Sequence, residues 1–287
     1  MTRPSRLSLF DLAPDKVLLD RYRILSPHRE NGMSAAFRVM DESASEEREL
    51  QAFPASLFEN SKQADSFAEA LRVWADIHSE AIVSPENVEV FEDGAVVIVT
   101  PFPEGTALRT AFEEKGRFSA QEVLNLGASL LEGLEVCHEA GVAHGDIKPT
   151  TIFMGASGPS LVDGGVTPGL WAAKHLGTRT ALIGTPFYAP IEQFGGDCPD
   201  ARSDVYNLAT VLYELLTGAM PWRGRSYIEV FQSKMQPEAP SMRSIAPDVD
   251  VDPGLEAAIA TALRGKRMER HESAAAFRSS LAELSLA

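Results

Sequence analysis

Short apolar segments separated by polar residues fill the first hundred positions of the chain. They are YRIL, AAFRVM, ELQAF, NVEVF and AVVIVTPF, which have the lengths of strands and are rich in Val, Ile and Phe. Asp93-Gly94 lies between the last two segments and is a typical tight hairpin turn. Only the stretch 66–77 repeats apolar residues at three- and four-residue spacing, as a helix does. This part of the chain therefore predicts a small β-rich unit with one helix.

The pattern becomes helical from about Ser119 onward. Ser119 and Glu122 form a capping-box signal, and an apolar stripe follows until Gly141, where a helix is expected to end. Between Gly141 and Gly184 lie two strand-like pieces, TIFMG and SLVDG, and a long Gly- and Thr-rich stretch that is typical of a functional or mobile loop. Further helices are predicted over 203–217, 255–263 and 273–284.

The change in pattern defines the expected domain organisation. We expect an N-terminal extension over 1–20, a β-rich lobe over 21–100, a hinge over 101–105 and a larger, mainly helical lobe over 106–287. We also expect the segment 164–185 to be mobile and, with the acidic surface, to be a candidate contact for partners.

Composition narrows the class of protein. The chain has 287 residues, 44% of them hydrophobic, and a net charge of −15, which suits a globular protein and argues against a nucleic-acid partner. Two cysteines, Cys137 and Cys198, cannot build a disulfide framework and indicate free thiols. No apolar run approaches the ~20 residues that a membrane span needs. We therefore expect a cytoplasmic protein without a membrane span.

The run HGDIKPTTI over 144–152, followed by LVDGG over 161–165, carries the candidate chemistry. Two acids separated by a loop and a short hairpin can converge on one site. Asp146 would orient or deprotonate a hydroxyl, and Asp163 would hold a metal that bridges phosphate oxygens. Lys148 could neutralise charge on a transferring phosphoryl group.

At these residues the chain resembles the protein kinases, specifically the bacterial Ser/Thr kinases. HGDIKPTTI is similar to the catalytic loop H-R-D-x-K-P-x-N, and LVDGG is similar to the D-F-G segment. GTPFYAPIEQ resembles the end of an activation segment, and SDVYNLA resembles the start of the central helix of the large lobe. Aminoglycoside and choline kinases also have the sequence H-G-D in this loop. They lack the last two motifs, so the resemblance to protein kinases is favoured.

The resemblance implies an α+β, two-lobed protein-kinase-like fold with ATP and Mg²⁺ as the family's ligands. It makes Asp146 and Lys148 the catalytic positions and Asp163 and Thr151 the Mg²⁺ positions. Structural roles fall to Asp204 and to Glu192, which would pair with Arg270. The nucleotide-binding positions that it implies are Ala36, Glu69, Thr100, Pro101, Phe102, Thr151 and Asp163.

The chain departs from the family pattern where the family holds ATP. Alignment places Arg29, Asn31 and Ser34 at the three glycines of the phosphate-binding loop, where side chains would crowd the phosphates. The phosphate-binding lysine would fall at Phe53 or Pro54, and the chain has no lysine between 16 and 62. Thr151 replaces the metal-binding asparagine, and Gly145 replaces the arginine that pairs with a phosphorylated activation loop.

Three interpretations follow. The first is a pseudokinase that acts as a scaffold through a protein partner, and the second is a regulator that senses ATP without using it. The third is an active, atypical Ser/Thr protein kinase that transfers the γ-phosphate of ATP to a protein hydroxyl with Asp146 as base. Arg38 could replace the missing lysine, although a solvent-exposed arginine is the favoured interpretation. Glu69 is expected to be a solvated helix acid.

Overall fold

A computed structural model describes residues 3–174 and 186–283. The chain divides into two compact units. The first comprises Met1–His78, Val83–Pro103 and Ala172–Lys174, and the second comprises Ser79–Ile82, Glu104–Trp171 and His175–Ala287. The residues 1–20, expected to form an extension, belong to the first unit.

A six-stranded antiparallel sheet forms most of the first unit. Its strand order is β1-β2-β3-β4-β6-β5, so the neighbours β5 and β6 form the hairpin expected at Asp93-Gly94. Helix α1 (Ser61–Arg72) follows β4 and is continued by a 3₁₀ turn, Val73–Asp76. The strands are β1 (Val17–Leu18), β2 (Tyr22–Asn31), β3 (Ser34–Asp41), β4 (Glu46–Phe53), β5 (Asn87–Val90) and β6 (Val96–Pro101).

The two faces of this sheet differ because successive side chains of a strand point to opposite sides. One face carries a buried apolar cluster that includes Leu50, Val97 and Val99, against which Leu7 and Leu12 of the N-terminal segment pack. On β4, the other face carries Glu49, Gln51 and Phe53, all buried. Phe53 lies edge-on to Phe67 of α1, with 5.0 Å between ring centroids. We call the Glu49 side the polar face.

The second unit is mainly helical and contains a three-stranded sheet in the order β7-β8-β9. Helix α6 (Ala201–Thr217) is buried at every position from Ser203 to Thr217. Its buried polar residues, among them Asp204, Asn207 and Glu214, hydrogen-bond to other segments of the second unit, as buried polar groups must. The strands are β7 (Thr106–Ala107), β8 (Ile152–Gly155) and β9 (Gly158–Leu161), and the helices are α2 (Leu108–Lys115), α3 (Ala120–Glu139), α4 (Val166–Ala173), α5 (Ile191–Phe194), α6 (Ala201–Thr217), α7 (Tyr227–Lys234), α8 (Met242–Ile245), α9 (Pro253–Ala262) and α10 (Ala274–Ala282).

Two sequence expectations were wrong in part. The helix expected over 66–77 begins at Ser61, because the side chain of Asn60 accepts a hydrogen bond from Gln63 N and caps the first turn. The segment expected to be a mobile loop over 164–185 contains helix α4, whose residues Leu170 and Trp171 are buried. Residues 175–185 of that segment, with Thr178 and Thr180, lie outside the described residues.

No helix among the described residues is both long enough and apolar enough to cross a bilayer.

Candidate functional site

The loop over 144–151, which we call the catalytic loop, is held by the buried carboxylate of Asp204. This carboxylate accepts hydrogen bonds from His144 N (2.8 Å) and Gly145 N (2.7 Å) and lies 2.9 Å from Nε2 of His138. Asp204 has no exposed surface, so each of these contacts replaces hydration that the carboxylate has lost. Its role is to shape the loop.

Within the catalytic loop, Lys148 and Asp146 form an ion pair, with 2.5 Å between Nζ and Oδ2. The side chains are about one-sixth exposed, at 17% and 15%, so both groups remain accessible to solvent. A carboxylate beside an ammonium is an arrangement that could orient a hydroxyl and neutralise a phosphoryl group.

The side chain of Thr151 forms hydrogen bonds with backbone groups of this loop. Its hydroxyl lies 2.9 Å from Asp146 O and 3.1 Å from Lys148 O, and it accepts a hydrogen bond from Lys148 N at 3.1 Å. The residue is buried, and these hydrogen bonds of its hydroxyl serve the loop. Among residues 3–174 and 186–283, no group of three or more His, Cys, Asp or Glu side chains is placed to hold a metal ion.

Asp163 lies in a segment that is tied to the catalytic loop. His144 Nε2 lies 2.9 Å from the carbonyl of Val162, and Gly165 N donates to the carbonyl of His144. Asp163 itself has a φ of 66°, in the left-handed region that Asp tolerates better than most residues. The segment therefore brings Asp163 beside the catalytic loop and then turns into α4.

Helix α4 packs directly on Gly145. Gly145 has a φ of 83°, and a Cβ added there would lie 2.5 Å from Cδ of Pro168. Trp171, on the same helix, donates from Nε1 to the carbonyl of Gly196 at 3.1 Å. Any side chain at 145, including the family's arginine, would therefore displace α4 or the loop.

A buried ion pair joins Glu192 to Arg270. Two hydrogen bonds of 2.6 and 2.8 Å connect the guanidinium to the carboxylate, and Arg270 also donates to the carbonyls of Arg264 and Gly265. Burial favours the neutral carboxyl, but the hydrogen bonds from Arg270 outweigh it and hold the pKa of Glu192 below its ordinary value. This stabilisation is lost as the pH falls through that lowered pKa.

The segment Pro186–Pro190, which precedes α5, is fixed by Lys234. This lysine is 1% exposed, and its Nζ donates to the carbonyls of Phe187 and Ala189, both at 2.8 Å. Burial lowers the pKa of Lys234 well below its ordinary value, and the nearby Arg270 lowers it further. Sequence reasoning missed this residue, because a lysine at the end of an exposed helix usually faces solvent.

On the polar face in the first unit, Gln51 lies directly opposite Ala36 and Ile98 of the neighbouring strands. Its Nε2 donates to Ser34 Oγ at 2.9 Å, and both side chains are buried. The structure therefore places Gln51, and neither Phe53 nor Pro54, opposite the nucleotide-binding candidate Ala36. Phe53 instead packs on α1, and Pro54 follows the end of β4.

Glu49, two positions before Gln51, lies at the centre of a charged cluster. Arg29 donates to it from Nε (2.9 Å) and from an Nη (2.5 Å), and His28 Nδ1 lies 2.6 Å from Oε2. The side chain of Glu49 is 3% exposed and that of Arg29 is 19% exposed. We call Glu49, Arg29 and His28 the Glu49 cluster.

Two of the nucleotide-binding candidates, Thr100 and Phe102, border this cluster. Thr100 is the direct neighbour of Glu49 on β6, and the Phe102 ring lies 4.7 Å from the His28 ring. Arg38 places its guanidinium 5.2 Å from the centre of the Phe102 ring and binds Glu47, and its side chain is 46% exposed. Arg38 therefore lies beside the hinge residue Phe102, where a replacement for the missing lysine could lie. It is nevertheless largely solvated, as the favoured interpretation expects.

Two other nucleotide-binding candidates lie away from the Glu49 cluster's contacts. Glu69 is 76% exposed and pairs with Arg72 on its own helix, as a solvated helix acid does. Pro101, at the end of β6, is exposed.

The two units have the fold of a protein kinase domain, with a β-rich N-lobe and a helical C-lobe. The model of the protein kinase domain matches residues 32–279, and the chain therefore belongs to that family. The kinase domain of Mycobacterium tuberculosis PknI has the same fold, with a TM-score of 0.75 and 18% identity over 96% of this chain and all of that one.

The curated relatives are bacterial Ser/Thr kinases. A probable serine/threonine-protein kinase PknB of Corynebacterium glutamicum is 30% identical over 278 residues, which is 94% of this chain and 43% of that protein. Serine/threonine-protein kinase PknB of Mycobacterium leprae is 31% identical over 215 residues, which is 71% of this chain and 34% of that protein. The chain thus spans less than half the length of either relative.

Proposed function

We propose that this protein is a pseudokinase that acts as a scaffold for a protein partner and transfers little or no phosphate. The observation that carries the proposal is the Glu49 cluster. It occupies the sheet face on which the family resemblance places the nucleotide, next to Ala36 and Thr100.

The cluster opposes nucleotide binding in two ways. Its buried carboxylate repels phosphate oxygens, and Arg29 is already bound to it. Drawing Arg29 away to bind a phosphate would leave Glu49 buried without that partner, at a cost of about 3–5 kcal/mol. A cost of that size lowers affinity by roughly 100-fold or more. Gln51 adds no positive charge to offset this cost.

The second unit supports a role that depends on shape. Asp204 still organises the catalytic loop, and Glu192 still pairs with Arg270. The hydroxyl of Thr151 serves the loop, and α4 covers Gly145. These contacts stabilise the kinase fold without requiring a bound nucleotide.

An active, atypical Ser/Thr kinase is the second candidate, because one observation favours it. Asp146 and Lys148 are paired, partly exposed and correctly spaced for hydroxyl activation. A nucleotide-sensing regulator is the intermediate case, in which Arg29 would exchange Glu49 for a phosphate.

Nucleotide binding separates these functions. We expect ATP, with or without Mg²⁺ or Mn²⁺, to leave the melting temperature and the calorimetric signal of the wild-type protein unchanged. Glu49→Ala combined with Gln51→Lys should create binding, because it removes the carboxylate and supplies an ammonium on the same face. Glu47→Ala with Gln51→Lys is the matched control, since Glu47 lies on the same strand but is 35% exposed.

Metal-dependent binding by the wild type that disappears in Asp163→Ala would contradict the scaffold function. Radiolabelled phosphate transfer would then decide between sensor and enzyme. Transfer that is lost in Asp146→Asn would establish the kinase, and binding without transfer would establish the sensor.

A further inference from the structure

A cavity of about 620 Å³ lies in the first unit, between the N-terminal segment, residues 3–20, and the apolar face of the large sheet. Its lining includes Leu12, Ala52 and Ala95, which belong to the buried apolar cluster of that face. Glu49 lies on the opposite face of β4, because it is three positions from Ala52 in a strand whose side chains alternate. The cavity is therefore a different place from the Glu49 cluster.

Small side chains leave the cavity open. Ala35 on β3, Ala52 on β4 and Ala55 just after β4 all line it, and larger apolar residues at these positions would fill it. Its volume lies within the range of about 300–1,000 Å³ in which proteins bind small molecules. The size and the lining therefore suit the apolar part of a small ligand.

One apolar wall of the cavity is exposed to solvent. Leu9 lines the cavity and is 86% exposed. It lies on the 3₁₀ turn Leu9–Leu12, whose start is held by hydrogen bonds from the amide and hydroxyl of Ser8 to Asp11. An apolar group in the cavity would remove part of the Leu9 side chain from water, which favours binding.

Charged side chains of the lining indicate the polar part of the ligand. They are two carboxylates, Glu30 and Asp93, and one guanidinium, Arg6. Arg6 lies 3.7 Å from Asp93 and its side chain is 84% exposed, so solvent screens this ion pair. Glu30 is exposed. The lining thus carries a net charge of −1 in a chain of net charge −15, and it attracts cations and repels anions.

We propose that this cavity binds a small cationic amphiphile. Its apolar chain or ring system lies against the alanines and Leu9, and its ammonium group lies beside Glu30 and Asp93. Burial of the apolar part supplies the affinity, and the carboxylates select the charge of the head group. The catalytic loop takes no part in this binding, so the inference does not depend on the proposed function.

Isothermal titration calorimetry of the full chain tests the proposal with three probes of equal chain length: decylammonium, decanol and decanoate. Each is used below the concentration at which it aggregates. We expect decylammonium to bind most tightly and decanoate most weakly, because only the head group differs. Failure of decylammonium to bind, or binding of decanol or decanoate as tight as that of decylammonium, would overturn the proposal.

Two tryptophan variants distinguish the cavity from the acidic surface of the protein. Ala35→Trp fills the cavity without changing the charge, so it should weaken decylammonium binding about tenfold or more, because the decyl chain loses its burial. Ala44→Trp is the matched control, since Ala44 is exposed and lies in the turn at the other end of β3. It should bind like the wild type. Unchanged affinity in Ala35→Trp would mean adsorption to the acidic surface and would refute the cavity as the site.

A charge variant tests the head group, and it keeps the proposal testable if Ala35→Trp does not fold. Glu30→Gln should weaken decylammonium binding about two- to fivefold and leave decanol binding unchanged, because it removes a carboxylate beside the ammonium. Glu69→Gln is the control, since Glu69 is an exposed acid on α1 of the same unit. Equal losses of decylammonium affinity in the two variants would contradict the proposed position of the ammonium.

Discussion

The two units of the molecule use buried charge differently. In the second unit, Asp204 and the Glu192–Arg270 pair bind backbone groups of loops, so they fix the path of the chain. In the first unit, Glu49 binds two neighbouring side chains, Arg29 and His28, across the sheet. The first kind of contact is one that the kinase fold needs whether or not it catalyses. In the proposed function, the second occupies the surface that a nucleotide would need.

This difference indicates which buried charges the path of the chain depends on. Removing Asp204 would leave two backbone N–H groups without their acceptor, because nothing else in their contacts replaces the carboxylate. On β4, the buried carboxylate of Glu49 is tolerated because a side chain of the same sheet, Arg29, binds it.

Asp204→Ala should lower the free energy of unfolding by about 3–5 kcal/mol, because it leaves His138 and two amides of the catalytic loop without their acceptor. Urea unfolding followed by tryptophan fluorescence measures this. Asp197→Ala is the control, since Asp197 pairs with Arg267 at 3.2 Å but is 64% exposed. A loss of less than 1 kcal/mol at Asp204 would contradict its assigned role.

The Arg29–Glu49 pair should show a coupling energy of about 2–3 kcal/mol in a double-mutant cycle built from alanine variants. Arg38–Glu47 is a matched pair on the same sheet, but its side chains are 46% and 35% exposed. Its coupling should be about 0.2–1 kcal/mol because solvent screens it. Equal coupling energies would show that burial does not strengthen the cluster.

Gly145→Ala should destabilise the protein by about 2–3 kcal/mol, through backbone strain and contact with Pro168. Gly116 is the matched control, because it has a φ of 82° but nothing within 4 Å of an added Cβ. Gly116→Ala should therefore report the strain alone, about 1 kcal/mol. Thermal unfolding measures both, and a further Pro168→Ala substitution should recover part of the Gly145→Ala loss.

Lys234→Met should change how stability depends on pH. The unfolded chain binds a proton at Lys234 where the folded protein, with its lowered pKa, does not, so this lysine's contribution to stability rises with pH up to about 10.4. Relative to the variant, the wild type should gain up to ~1.4 kcal/mol per pH unit within that window. Urea unfolding at about pH 7 and about pH 9 checks this, and parallel curves would refute it.

Glu69→Ala should change the free energy of unfolding by no more than about 0.5 kcal/mol, because an exposed i,i+3 pair contributes little. Thermal unfolding checks the value. A larger loss of unfolding free energy would mean that Glu69 makes a stabilising contact in the first unit that its exposure does not indicate.

Much of the fold followed from local pattern. The capping box at Ser119 and the apolar stripe placed α3, and alternating short segments placed the strands of the large sheet. Helix α4 did not follow, because its sequence contains Gly and Pro and its stability comes from burying Leu170 and Trp171. The motifs also indicated the catalytic loop, because neighbouring residues in sequence form it.

The sequence by itself determined the family, the catalytic-loop residues and the absence of a lysine between 16 and 62. Only the tertiary structure decided what occupies the polar face. Arg29 and Glu49 are 20 positions apart in the sequence and lie on β2 and β4, with β3 between them. No local spacing of residues therefore predicts their contact. Lys234 and Phe187 are likewise brought together only by packing. Local propensity determines elements, whereas burial decides which distant charges must find one another.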